Sequence, residues 1–294
     1  MDQAQQLRNM VKIQTPPRHT ARVITVTSGK GGVGKSSVSV NLAIALSKLG
    51  QRVVILDADF GLANVEIMLG IRPKYSLADL MFKGKGLRDI VTDGPEDIGF
   101  ISGGSGIKEL SNLSKEQILN LSARLIELDE LADVVIIDTG AGISDSVMEF
   151  VMSSSEILLV ATPEPTSITD SYALLKTMNQ KPEFVAEHAT IKLVANRVRD
   201  EEEGLELYQK LNTVVERFLD ISLQHMGSIP QDSHITQAVM MQRPFYLQYP
   251  AAPASLAVEK MAEKLIGMET KNEEGKNIRK GIAGLFSAVI KRKK

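Results

Sequence analysis

A chain of 294 residues, 43% hydrophobic and 24% charged, has the makeup of a globular protein with room for a large core. It contains no cysteine and only four histidines, which excludes disulfide frameworks, thiolate-bound zinc or iron–sulfur clusters and cysteine nucleophiles, and argues against a metalloenzyme. The net charge of −2 is unevenly spread: residues 276–294 carry +7 with no acid, leaving −9 on the remainder, so a polyanionic surface is expected as a partner for that end alone.

In chain order, residues 1–21 read as a short helix capped by Asp2, then a linker that starts at Thr15-Pro16-Pro17. The first ten residues lack the apolar core of a secretory signal, and no run of about 18 apolar residues exists to span a membrane; a cytoplasmic setting is expected. From Arg22 onward, short β-branched runs alternate with longer amphipathic stretches. The runs are Val23–Val26, Val53–Leu56, Val134–Ile137, Ile157–Ala161, Ile191–Ala195 and a weaker one at Met226–Ile229. Near-continuous apolar strands separated by helices predict an α/β fold: a doubly wound, mostly parallel β-sheet with helices on both faces. The expected divisions are 1–21, a main globular domain over 22–267, a polar linker over 268–277, and a basic amphipathic helix over 278–294.

After the first strand comes Gly29-Lys30-Gly31-Gly32-Val33-Gly34-Lys35-Ser36, which fits G-x-x-x-x-G-K-[ST] between a strand and a helix. Glycines let the backbone curl so that its N–H groups and the helix N-terminus face phosphates. The cofactors expected here are ATP or ADP with Mg²⁺. Gly31, Gly32, Val33, Gly34, Lys35, Ser36 and Ser37 line the phosphates, Lys35 bridging the β- and γ-phosphates and the Ser36 hydroxyl ligating the metal. The helix is predicted over Ser37–Leu49, closed by Gly50.

With its second lysine, the loop Lys-Gly-Gly-x-Gly-Lys-Ser resembles the deviant Walker A motif of the MinD/ParA family of P-loop ATPases. The resemblance covers residues 22–266 and implies ATP hydrolysis by a nucleotide-sandwiched homodimer in which Lys30 reaches the partner's phosphates. Asp57-Ala58-Asp59-Phe60-Gly61-Leu62-Ala63-Asn64, after the second strand, resembles that family's switch I, with Asp59 positioning the attacking water and Asp57 supporting the Mg²⁺ shell. Asp138-Thr139-Gly140-Ala141-Gly142 resembles Walker B and switch II, with Asp138 as a metal-shell carboxylate. Carboxylates at the C-terminal ends of parallel strands face the ligand crevice. Asn196-Arg197 and Pro230-Gln231-Asp232 resemble the family's adenine-binding segments, although Asn and Asp after strands also serve as turn residues.

Two end segments narrow the resemblance. Asp2-Gln3-Ala4-Gln5-Gln6-Leu7-Arg8 resembles the D-Q-A-x-x-L-R motif of the flagellar FlhG branch, which implies contact through Asp2, Gln3, Ala4, Leu7 and Arg8 with the signal-recognition-type GTPase FlhF and stimulation of its GTP hydrolysis. Ile278, Ile282, Leu285, Phe286, Val289 and Ile290 form one helical stripe followed by Lys291–Lys294. That pattern describes an interfacial helix for anionic membrane lipids, which would place the ATP-bound protein on the inner face of the cell membrane; a helix docked on the protein's own core is the alternative. Flagellar basal-body proteins are further partners that the resemblance allows. Two other functions stay open: a MinD-type division-site ATPase, which leaves Asp2–Arg8 unexplained, and a ParA-type DNA-segregation ATPase. The acidic body speaks against nucleic acid as a partner.

Overall fold

The structure is a computed structural model that describes residues 20–59, 64–104, 121, 124–181, 184, 189–219 and 221–273. The segments expected to form the N-terminal and C-terminal helices lie outside the described residues, except for the linker's last two positions. The strands are β1 (Arg22–Thr27), β2 (Val53–Ala58), β3 (Thr92–Asp93), β4 (Gly99–Ile101), β5 (Val134–Thr139), β6 (Glu156–Ala161), β7 (Thr190–Val198) and β8 (Leu223–Pro230). They form one sheet in the order β3-β4-β2-β5-β1-β6-β7-β8, in which only the β3–β4 pairing is antiparallel. The helices are α1 (Lys35–Lys48), α2 (Asn64–Leu69), α3 (Leu77–Phe82), α4 (Leu87–Ile90), α5 (Leu128–Leu131), α6 (Asp145–Ser153), α7 (Pro165–Asn179), α8 (Glu201–Leu219), α9 (Ser233–Met240), α10 (Phe245–Gln248) and α11 (Pro253–Glu273).

The pleat decides which side chains meet which helices. Ile24, Val26, Ile55, Ile136, Leu158 and Val160 point to one face, where Leu42, Leu46, Val258 and Leu265 of α1 and α11 cover them. On the other face, Val54, Leu56, Val135 and Ile137 pack with α3, α4 and α5, while Ile157, Leu159 and Leu193 pack with α6, α7 and α8. Central strands apolar on both faces are what a sheet sandwiched between helix layers requires.

All six expected strands are present, and β3 and β4 are additional. These two are only two and three residues long, too short to show a period. A Cβ on Gly99 would lie 2.9 Å from Val54 Cγ2, so β4 carries a glycine where an apolar residue would have advertised a strand. The helix predicted over Ser37–Leu49 starts two residues earlier, at Lys35, and Gly50 follows its end with a φ of 88°. Helix α11 runs on to Glu273, so the boundary expected at Gly267 falls inside it. Polarity alone does not stop a helix; Glu, Lys and Met are good helix formers.

Candidate functional site

Three neighbouring strands, β2, β5 and β1, end at the same rim of the sheet. Asp57 lies beside Asp138 in the β2–β5 register, and Val26 of β1 flanks Asp138 on the other side. β1 therefore delivers the glycine loop next to both carboxylates. Gly29 passes so near α7 that a Cβ there would sit 2.2 Å from the Asp170 carbonyl. Gly34 ends the loop at φ 98°, ψ 21°, a left-handed conformation that directs the next N–H groups inward at the start of α1.

Lys35, the first residue of α1, is buried. Burial lowers its pKa, opposed by the charges of Asp138 and Asp59. Asp138 accepts hydrogen bonds from Ser36 and from Ser39 Oγ, the latter at 2.8 Å on Oδ1. Its Oδ2 is buried with no hydrogen-bond partner. Burial pushes the Asp138 pKa up to about 6, against those two hydroxyls and the Lys35 charge. Asp57, equally buried, is pushed up to about 8, first by burial and then by the Asp138 charge. Its Oδ1 accepts the Asp59 N–H at 3.0 Å, which turns the chain toward the rim. Two buried carboxylates with raised pKa values, an orphaned oxygen and a serine hydroxyl alongside are the donor set of a divalent cation. Among the described residues no group of three or more His, Cys, Asp or Glu side chains is placed to hold a metal. The set thus fits Mg²⁺, which commonly completes its shell with phosphate oxygens and water.

The loop after β5 is fastened to the phosphate loop. Gly142 N–H donates to the Ser28 carbonyl at 2.9 Å, and Thr139 Oγ1 donates to the Val26 carbonyl at 3.0 Å. A Cβ on Gly140 would come 3.6 Å from Asp59 Oδ1, so Asp59 and the switch II loop face each other. Lys30 points outward and its Nζ donates to Glu164 Oε2 and Thr166 Oγ1, each at 2.8 Å.

The segments expected at the base lie side by side across β7 and β8, with Asn196 opposite Ile229 and Val198 opposite Pro230. Asn196 is buried; its Nδ2 donates to the Val33 carbonyl at 2.7 Å and its Oδ1 accepts the Arg197 N–H. It thus braces the phosphate loop, and Gly34 has no room for a Cβ because Asn196 Nδ2 would lie 2.4 Å away. Arg197 has a left-handed backbone, φ 58°. Asp232 caps α9: its Oδ1 accepts from the His234 backbone N–H at 2.9 Å and lies 2.7 Å from Nδ1, while Oδ2 takes the Ala254 N–H at 3.3 Å. The structure therefore brings Asn196 to the loop and commits Asp232 to its helix. Sequence reasoning missed Ser39, Glu164 and Thr166; Ser39 sits one turn after Lys35 on the buried face of α1, and Glu164 follows β6 at the same rim.

A glycine loop closing on a Lys-Ser helix start, beside strands that end in buried carboxylates, defines a P-loop nucleoside triphosphatase. Residues 19–266 match the ParA family, described as "NUBPL iron-transfer P-loop NTPase". The chain is 44% identical over 247 residues to the antiactivator FleN of Pseudomonas aeruginosa, covering 84% of this chain and 87% of that protein. It is 28% identical to the flagellum site-determining protein YlxH of Helicobacter pylori, covering 99% and 98%. In fold it is similar to the septum site-determining protein MinD of Pyrococcus horikoshii, solved with Mg-ADP (TM-score 0.69, 23% identity, 85% and 97% covered). The chain belongs to the ParA/MinD family of P-loop ATPases. Without cysteine it has no thiolate for an iron cluster.

Proposed function

We propose that this chain is an ATP-dependent, dimerising switch that sets flagellar number or placement. The observation that carries the chemistry is the convergence of Lys35, Ser36, Asp57, Asp59 and Asp138 on one rim. The 44% identity to the antiactivator FleN, together with the match along 99% of this chain to the flagellum site-determining protein YlxH, supports the flagellar reading over division-site placement.

Lys35 and the loop N–H groups would bind the β- and γ-phosphates and take up the charge that develops as the terminal bond breaks. Ser36 would hold Mg²⁺, with Asp57 and Asp138 behind it; when bound, the ion neutralises phosphate charge. Asp59 would orient the water that attacks the γ-phosphorus, giving ADP and phosphate. Asn196, Arg197, Pro230 and Asp232 would form the wall near the base. Lys30 would leave Glu164 and Thr166 to reach a second copy's phosphates. The basic stripe of residues 278–294 would bring the ATP-bound dimer to anionic lipid, two tails acting together where one is marginal.

The N-terminus separates this reading from its siblings. Deleting residues 1–9 is expected to leave ATP hydrolysis intact and remove stimulation of an FlhF-type GTPase, measured as phosphate release from GTP. Equal stimulation with and without the segment would refute the flagellar assignment.

A further inference from the structure

The body is acidic on average, yet one rim is not. Between Arg72 and Asp89 the chain carries Arg72, Lys74, Lys83, Lys85 and Arg88 against two acids, Asp79 and Asp89. Both acids are already engaged. Asp79 accepts the Ser76 N–H at 2.8 Å and pairs with Lys83 at 2.9 Å, and Asp89 accepts the Gly86 N–H at 2.9 Å. Arg72, Lys74, Lys83 and Arg88 are exposed. Tyr75 gathers two of the cations, with Lys85 Nζ 4.2 Å and Lys74 Nζ 5.2 Å from its ring centroid. Ammonium groups steadied by one ring lose less freedom when an anion arrives, which favours tight recognition. Phe82, 47% exposed, stands at the end of α3 beside Lys83.

This rim is built, and it adjoins the nucleotide site. Arg124 Nη1 donates to the Leu80 and Lys85 carbonyls at 2.9 and 3.1 Å, which fixes the backbone that carries the lysines. Ser76 bridges Ser102 just beyond β4, and the Leu77 N–H donates to the Ser102 carbonyl at 2.9 Å. Ser102 Oγ in turn donates to Glu66 of α2, whose charge acts on Asp57. Ser76, within the rim, is thereby linked through Ser102 and Glu66 to Asp57 of the site.

We propose that the rim from Arg72 to Arg88 docks an acidic segment of a partner protein. Charge complementarity selects an anion, and the surroundings select its kind. Single-stranded nucleic acid relies on aromatic rings open to stacking, whereas the Tyr75 ring is engaged by ammonium groups. A carboxylate-rich peptide matches the spaced cations, and Phe82 offers it an apolar foothold.

The test uses the full-length protein and a fluorescein-labelled polyglutamate peptide read by anisotropy. Wild type should bind the peptide with an affinity that falls as salt is raised. Lys74→Glu/Lys85→Glu should bind it at least ~10-fold more weakly, with basal ATP hydrolysis and melting temperature unchanged. Should that variant melt early, Lys74→Gln/Lys85→Gln removes the charge more gently and is read the same way. Phosphatidylglycerol vesicles and a single-stranded oligonucleotide form parallel arms and should not distinguish the variant from wild type. Equal peptide affinity in variant and wild type overturns the proposal, as does a loss confined to the vesicles or the oligonucleotide.

Discussion

Lys35 sits where burial lowers its pKa while Asp138 and Asp59 act to keep it charged. Lys35→Ala should therefore abolish tight ATP binding, because it removes the cation that faces ground-state phosphates and leaves the buried carboxylates alone. Asp59→Ala should still bind ATP but lose about 100-fold or more in kcat, the usual scale for a group acting on the attacking water. Equilibrium binding of a fluorescent ATP analogue alongside phosphate release separates the two outcomes. The neighbouring acids add a pH effect. Asp57 and Asp138 have folded-state pKa values raised to about 8 and about 6, so the folded chain holds protons that the unfolded chain gives up near pH ~4. Their contribution is present below that value and is lost as pH rises from ~4 to about 6 for Asp138 and to about 8 for Asp57. Nucleotide-free protein should accordingly melt at a lower temperature as pH rises through this window, and Mg-ADP should restore more of the melting temperature at the alkaline end. A melting temperature that is flat across the window would contradict the burial of these two carboxylates.

The phosphate loop shows how an element depends on contacts made far along the chain. Gly29 exists because α7 crosses behind it, and Gly34 because Asn196 stands against it. Gly29→Ala should force loop and helix apart, costing about 1–3 kcal/mol as overpacking does. Nucleotide binding should weaken with it, as differential scanning fluorimetry with and without ADP would register. The loop, its strand and the two acid-ended strands were legible in the sequence, because their signals are local: an apolar run, a turn, a charged residue at its end. Asn196 holding Val33 was not, since the two lie 163 positions apart and an Asn after a strand looks like any turn residue. Glu164 escaped for the same reason; its hydrogen bond to Lys30 spans 134 positions. Helix α11 continues past Gly267 because polarity changes there while helix propensity does not.

For the whole molecule, the order of the strands puts every proposed catalytic group on one rim, through which the dimer proposed above would pair. On the proposed reading, the amphipathic segment 278–294, an apolar stripe with basic flanks, would decide where such a pair resides. Phe286→Glu, a charge in the middle of the apolar stripe, should abolish vesicle flotation with ATP while leaving hydrolysis in solution unchanged. Loss of nucleotide binding in that variant would instead make the segment part of the folded core. The two ends of the sheet bear on assembly as well. At one end lies β3, with two residues; at the other β8, whose pairing with β7 slips register twice and which finishes in Pro230, a residue without an N–H. Neither offers the long, flat row of unpaired backbone groups on which a further strand could add. Fibril-like stacking through the sheet margins is thereby discouraged, and copies crowded together carry less risk of irreversible clumping.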